Sequence, residues 1–254
     1  MNRFIPPSVR RKISRLLGIQ AMRDSLRDQK ARLTHIEMRV GIVESELGLV
    51  NRELDLQERA KLRWRRASPS SALTWGRMVS GDAFVNKVEE YGAFGPDRTI
   101  LELGPGYGRL LRSILDNGVQ FSSYLGIDLS KDNVNHLRSA FQSPKVSFLI
   151  ADAEELELNT GFDSLISSLT MKHLYPTFES ALANLRRFAT EGCTFLFDLL
   201  EGDGRYFEDD GVTNIRYYTK DEVKTILRNI GIQTVSLDYV HHDAEHTRLL
   251  VVAH

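Results

Sequence analysis

The sequence contains a single cysteine, Cys193, and lacks long apolar runs, and each shortage excludes a class of structure. One cysteine cannot form an intrachain disulfide, which is typical of a protein kept in a reducing compartment. No apolar stretch approaches the roughly 20 residues that a membrane-spanning helix needs. The N-terminus lacks the sustained apolar region of a secretory signal, so we expect a cytoplasmic protein. Cys193 lies in an apolar, strand-like run and is expected to be buried and inert.

The 33 basic and 34 acidic residues are divided unevenly along the chain. Residues 1–66 contain 16 Lys or Arg and 8 Asp or Glu, a net charge of +8, whereas the rest contains 17 and 26, a net charge of −9. A basic segment joined to an acidic domain favours contact between that segment and an anionic surface. Residues 1–18, basic and amphipathic, are suited to lie peripherally on the inner face of a membrane. A solvated arginine-rich helix or a disordered tail is the alternative.

In residues 19–66, ten of the twelve positions that recur at a seven-residue spacing are apolar. The first seam position holds Ile19, Leu26, Leu33, Val40, Leu47 and Leu54, and the second holds Met22, Gln29, Ile36, Val43, Val50 and Gln57. This period is typical of a coiled coil, whereas a helix on a globular surface follows a period of ~3.6. Because the chain has one such segment, the pattern predicts self-association; a dimer is favoured and a trimer is left open. A helix folded back onto its own domain is the alternative.

A glycine-rich stretch follows an apolar run near residue 100. Thr99–Leu103 predicts a strand, the residues Gly104, Gly106 and Gly108 predict a tight turn, and the amphipathic run that follows predicts a helix. Glycines leave room for a ligand against the backbone, and a parallel sheet binds its ligands outside the carboxyl ends of its strands. The dinucleotide fingerprint places its third glycine one residue later, which argues against an NAD-linked oxidoreductase.

The segment Glu102–Gly108 resembles motif I of the class I S-adenosylmethionine (SAM)-dependent methyltransferases. Asp128 ends the second predicted strand, where a carboxylate suits two ribose hydroxyls. The resemblance implies that Asp152, after the third strand, accepts a hydrogen bond from the adenine amino group and that the backbone at Ala153 meets the ring. Phe162 and Asp163 open the fourth predicted strand, as is common in the family.

The resemblance covers residues 99–254 and implies SAM as the cofactor. It implies an α/β fold, a Rossmann-like sheet with helices on both faces and a closing antiparallel strand pair. We therefore divide the sequence into a basic segment (1–18), a coiled-coil oligomerisation helix (19–66), a linker with a helix (67–98) and a methyltransferase domain (99–254).

The segment after the fourth predicted strand, residues 167–176, faces the transferred methyl group in this family. By resemblance, Ser168 is assigned to the cofactor site. His173 is the candidate general base, because its pKa lies near the working range, and Tyr175 is a candidate for the acceptor pocket. Packing in the core is the alternative for both. The segment holds no Asn-Pro-Pro-Tyr or Asp-Pro-Pro-Tyr sequence, so we do not expect a nucleic acid acceptor.

Further candidates lie before motif I and after the fifth predicted strand. Trp75 and Asp82 precede motif I, where family members cover the SAM site or contribute to the acceptor pocket; a packed Trp and a helix-capping Asp are the alternatives. Asp198 and Glu201 are candidates to hold a divalent metal such as Mg²⁺ against acceptor hydroxyls, with a solvated acidic loop as the alternative. His242 is a second candidate at the acceptor site, provided that the C-terminal hairpin folds over the pocket.

Taken whole, the chain resembles bacterial enzymes that modify polysaccharides or lipid-linked glycans. The resemblance rests on residues 172–176 and 197–199, the basic N-terminal segment and the long oligomerising helix. We expect a SAM-dependent O-methyltransferase with a glycan hydroxyl as acceptor. A small-molecule or lipid acceptor is the alternative within this enzyme class. A coiled-coil scaffold whose methyltransferase fold binds SAM without catalysis is the alternative from another class.

Overall fold

The computed structural model describes residues 7–16, 18–69 and 79–254, and the candidate Trp75 lies outside them. The chain divides into two compact units, Met1–Asp55 and Leu56–His254. Among the described residues, no helix combines the length and the apolar character required to cross a membrane.

The first unit consists of helix α1 (Pro7–Leu16) and most of helix α2 (Ile19–Arg65), a continuous helix of 47 residues. This helix is the predicted one, although its self-association stays a prediction. Its seam side chains are uncovered in the single chain, as shown by the exposed fractions of Leu26 (65%) and Leu47 (56%). An apolar stripe of this length on an isolated helix needs a partner to be buried.

The last ten residues of α2 belong to the second unit, which begins at Leu56, so this unit includes the end of the segment predicted as a coiled coil, residues 19–66. The reason lies in their contacts within this unit. Ala60 is buried, and Lys61 forms ion pairs with Asp152 and Glu154. These side chains are therefore part of the domain rather than of a solvent-exposed coiled coil.

The second unit is built on a twisted sheet with the strand order β3-β2-β1-β4-β5-β9-β8. Strands β1 to β5 pair in parallel, and β9 is antiparallel to both β5 and β8. The strands of this order are β1 (Gly95–Leu103), β2 (Phe121–Asp128), β3 (Val146–Ile150), β4 (Phe162–Ser167), β5 (Ala189–Glu201), β8 (Thr234–His241) and β9 (Thr247–Ala253). The predicted sheet and its closing antiparallel pair are confirmed.

Helices cover both faces of the sheet because neighbouring strand residues point to opposite sides. The helices are α3 (Asp82–Glu89), α4 (Arg109–Asp116), α5 (Lys131–Ala140), α6 (Glu179–Arg186) and α7 (Lys220–Asn229). Ile100 and Ile166 pack in the cluster that contains the apolar side chains of α3, α4 and α5. Leu101 and Leu165 pack in the opposite cluster, with those of α6 and α7. The sheet thus separates two hydrophobic cores.

Two short strands, β6 (Arg205–Phe207) and β7 (Asn214–Tyr218), were not predicted. They pair with each other, and β7 also pairs in parallel with the end of β5. After them, the Thr219 hydroxyl caps α7 by accepting a hydrogen bond from the Glu222 amide. The Glu222 carboxylate pairs with Arg216 of β7, which ties the helix to the added strands.

We predict that Leu47→Glu weakens self-association, because it places a charge in the proposed seam, whereas Leu49→Glu, at an outward heptad position, does not. The two leucines are 56% and 61% exposed in the single chain, so a difference between the variants must arise from association and not from folding. Analytical ultracentrifugation gives the mass of each variant in solution. Equal masses for both variants and the unmodified chain would contradict the seam.

Candidate functional site

A cleft opens at the carboxyl ends of β1, β2, β3 and β4, where parallel strands of an α/β sheet place their ligands. It encloses about 1360 Å³, including space open to solvent. The predicted site residues that line it are Glu102, Gly104, Gly106, Asp128, Asp152, Ala153, Ser168, His173 and Tyr175. Residues that are distant in the sequence therefore converge because they follow neighbouring strands.

The glycine turn after β1 forms the floor of the cleft between the ends of β1 and β2. Gly106 has a φ of 57°, and a Cβ built on it meets no atom within 4 Å, so a side chain here would enter the cleft. Gly108, with a φ of 88°, does not line the cleft. A Cβ on Gly108 would clash with the Phe141 ring, so this glycine permits close packing of α4 and α5.

Two carboxylates occupy the ends of β1 and β2. Glu102 is buried and accepts a hydrogen bond from the Tyr124 hydroxyl. Burial raises the pKa of Glu102 to about 7, against the opposing effect of that hydrogen bond and of the nearby Arg109 charge. Asp128 accepts hydrogen bonds from the amides of Gly106 (3.0 Å) and Ser130 (2.8 Å), while burial raises its pKa. Asp128 thereby fixes the glycine turn to the end of β2.

A third acidic group follows β3, where Asp152 and Glu154 face the end of helix α2. Lys61 Nζ lies 2.7 Å from Asp152 Oδ2 and 2.6 Å from Glu154 Oε2. Burial works to lower the pKa of Lys61, but its hydrogen bonds to the two carboxylates raise it overall. The lysine is therefore charged and bridges both carboxylates.

Sequence reasoning missed the contribution of helix α2 to the cleft. Gln57, Lys61, Arg63 and Trp64 all line it, and the Trp64 ring lies 4.3 Å from the ring of His173, centroid to centroid. One signal was present in the sequence. Polar Gln57 and Lys61 fall on successive seam positions, which marks the point where the coiled-coil pattern ends.

His173 ends a short 3₁₀ helix, Met171–His173, and is buried. Its Nδ1 lies 2.8 Å from the carbonyl oxygen of Asn214, which can only accept, so the neutral ring carries its proton on Nδ1. Burial holds the pKa of His173 well below its usual range, and the positive charge of Lys172 acts in the same direction. The imidazole is therefore neutral, with its lone pair on Nε2.

Tyr175 follows the same 3₁₀ helix and is only 3% exposed. The Arg205 guanidinium lies over its ring at 4.7 Å, and the Phe207 ring lies 5.8 Å away. Both partners come from β6, so the unpredicted strand supports the side of the cleft that holds Tyr175 and His173.

The candidate metal ligands Asp198 and Glu201 have separate sets of partners. Buried Asp198 accepts hydrogen bonds from Ser168 Oγ (2.5 Å), the Leu169 amide (2.7 Å) and His242 Nε2 (3.2 Å). Burial alone would raise the pKa of Asp198, but these hydrogen bonds lower it overall. Glu201 is exposed and accepts a hydrogen bond from the Tyr239 hydroxyl.

Each of the two carboxylates therefore has its own hydrogen-bond partners, and their role as metal ligands stays a prediction. Among the residues that the structure describes, no group of three or more His, Cys, Asp and Glu side chains is arranged to hold a metal ion.

Two predicted substrate contacts also lie outside the lining of the cleft. His242 is buried against Asp198, and the same Asp198 oxygen accepts a hydrogen bond from Ser168. His242 therefore contacts a residue that holds Ser168 and not the cleft itself. Asp82 is exposed in the first turn of α3, where it bonds Ser80 and Asn117. A carboxylate at that position stabilises a helix N-terminus, close to the structural alternative considered for Asp82.

Comparison with known proteins finds similarity to methyltransferases. Residues 100–192 match the family described as "Methyltransferase domain". A fatty-acid O-methyltransferase of Mycolicibacterium smegmatis is 30% identical over 101 residues, which are 39% of this chain and 36% of that protein. The match therefore spans about a third of the relative.

Solved structures of methyltransferases share the fold. The glycopeptide N-methyltransferase MtfA, complexed with SAM, is 17% identical and superposes with a TM-score of 0.57, covering 69% of this chain and 94% of that one. The 1,6-didemethyltoxoflavin-N1-methyltransferase of Burkholderia thailandensis is 21% identical with a TM-score of 0.55, covering 67% and 75%. These likenesses confirm the predicted Rossmann-like methyltransferase fold.

Proposed function

We propose that this chain is a SAM-dependent methyltransferase that transfers a methyl group to an oxygen atom of its acceptor. The observation that carries the proposal is the convergence of Glu102, Gly106, Asp128 and Asp152 in one cleft at the carboxyl ends of β1 to β3. The match to methyltransferase domains includes these residues and supports SAM as the cofactor. SAM supplies a methyl group already activated by its sulfonium.

The residues of the cleft suit the parts of this cofactor. Asp128 has two acceptor oxygens for the two ribose hydroxyls, and Asp152 offers a carboxylate to the adenine amino group. Gly106 keeps the space between them clear of side chains. Glu102 lines the cleft at the end of β1, and a nearby ammonium of the methionine portion would favour the ionised form of its carboxylate.

We place His173 as the general base for a hydroxyl acceptor. Its Nδ1 proton is held by the Asn214 carbonyl, so Nε2 is the atom that accepts the proton from the acceptor. The lowered pKa keeps the ring neutral, which is the state required to accept a proton. Trp64 and Tyr175 add aromatic surface beside it, and such faces suit the apolar face of a sugar ring.

A glycan hydroxyl is the first acceptor that we propose, and a lipid or small molecule is the second. The similarity to a fatty-acid O-methyltransferase favours the second candidate. The two kinds of acceptor differ in whether they need a general base. A hydroxyl must lose its proton, whereas the carboxylic acid of a fatty acid is already ionised near neutral pH. The role of His173 therefore separates them.

We further propose that the chain self-associates through the seam of α2 and that residues 1–18 contact a membrane surface. The exposed apolar stripe of α2 supports the first proposal, and the net charge of +8 on residues 1–66 supports the second.

The cofactor site is tested by a matched pair of glycine substitutions. Gly106 and Gly118 have φ values of 57° and 67°, and a Cβ on either meets no atom within 4 Å, so alanine strains both backbones alike. We predict that Gly106→Ala weakens binding of S-adenosylhomocysteine (SAH) by about tenfold or more, because its methyl group enters the cleft, whereas Gly118→Ala leaves binding unchanged. Equal calorimetric affinities for the two variants would refute this placement.

The acceptor and the base are tested together with labelled SAM, a panel of oligosaccharides and a panel of fatty acids. His173→Asn keeps a donor for the Asn214 carbonyl but removes Nε2. We predict that this variant lowers methyl transfer to a hydroxyl acceptor by about 10²–10⁴-fold. A loss below about tenfold would assign His173 to packing. Transfer to fatty acids that does not depend on His173 would favour the second acceptor.

A further inference from the structure

We propose that Lys61 is a positioning residue of the cofactor site, where it fixes the Asp152 carboxylate in the orientation that receives the adenine amino group. The proposal rests on the proposed function, because it concerns the same cofactor. It also assigns the C-terminal end of helix α2 to the cofactor site, although this end precedes the residues matched to methyltransferase domains, 100–192.

Lys61 occupies a built site rather than a loose surface contact. Its Nζ lies 2.7 Å from Asp152 Oδ2 and 2.6 Å from Glu154 Oε2, and Gln57 Nε2 donates to the same Glu154 oxygen at 2.7 Å. The side chains of Lys61, Asp152 and Glu154 are only 11–13% exposed. Charges at this depth are weakly screened, so the two carboxylates need the cation between them.

The contacts of Asp152 fix its plane and leave one oxygen able to accept a further hydrogen bond. Oδ1 accepts the Glu154 amide at 3.1 Å, and Oδ2 faces Lys61. Oδ2 is buried in the contact with Lys61, whereas the Asp152 side chain as a whole is 13% exposed and lines the cleft. Because a carboxylate oxygen carries two lone pairs, Oδ1 keeps one acceptor site for an amino group.

The remaining contacts of this helix end also involve residues of the cleft. Trp64 packs on His173, and the Ala67 carbonyl accepts a hydrogen bond from Ser130, next to Asp128. Residues 57–67 therefore span the cleft from the proposed adenine end to the proposed base. The ion pairs of Lys61 are therefore part of a continuous set of contacts between this helix end and the cleft, and not an isolated surface ion pair.

The test compares SAH with S-inosylhomocysteine, in which a 6-oxo group replaces the adenine amino group. The unmodified chain should prefer SAH, because the oxo group presents an acceptor to the Asp152 carboxylate. We predict that Lys61→Met weakens SAH binding by about tenfold or more and reduces the preference for SAH over the inosine analogue. Calorimetry on the full chain measures both affinities.

The control is Arg187→Met, which removes an exposed ion pair with Glu157 outside the cleft and should change neither affinity. If Lys61→Met does not fold, Lys61→Gln replaces it; its amide can donate a hydrogen bond to a carboxylate but carries no charge, so the preference for SAH should again fall.

The outcomes separate the two proposals. If the unmodified chain does not bind SAH, the proposed function fails. If it binds both ligands equally, or if Lys61→Met weakens both to the same extent or neither, the cofactor site stands and the positioning role of Lys61 is overturned.

Discussion

The cleft depends on the placement of several carboxylates at one edge of the sheet, each held by its own donors. Glu102 and Asp128 end adjacent parallel strands, and Asp152 follows the next strand. Buried like charges repel, so each carboxylate requires compensation. The Tyr124 hydroxyl, two backbone amides and the Lys61 ammonium supply it. The glycine turn and the end of helix α2 are therefore parts of one electrostatic arrangement.

Much of the fold could be predicted because its elements carry local patterns. The predicted strand Thr99–Leu103 forms the last part of β1, Asp128 ends β2 and Phe162 begins β4, as the apolar runs at these places predicted. The two strands β6 and β7 could not be predicted in the same way. Each is short, and β7 is ordered by pairing with the end of β5 and with β6, which is a contact between distant residues.

The predicted site residues also differ in whether a local pattern or a contact between distant residues fixes their position. Residues tied to strand ends, such as Asp128 and Ser168, line the cleft because the parallel topology dictates their position. Asp82 and His242 do not, since their positions depend on helix and hairpin packing. Lys61 was missed because its partners lie more than 90 residues away, and a seven-residue pattern gives no sign of them. The same contact ties the end of α2 to the second unit, which begins at Leu56.

The central claim is that this cleft is built for SAM rather than for another nucleotide cofactor. Its most direct test is calorimetric titration of the unmodified chain with SAH and, separately, with NADH. We predict micromolar binding of SAH with one site per chain and no binding of NADH. Binding of NADH in the absence of SAH binding would contradict the claim, because the glycine turn and Asp128 would then serve a dinucleotide.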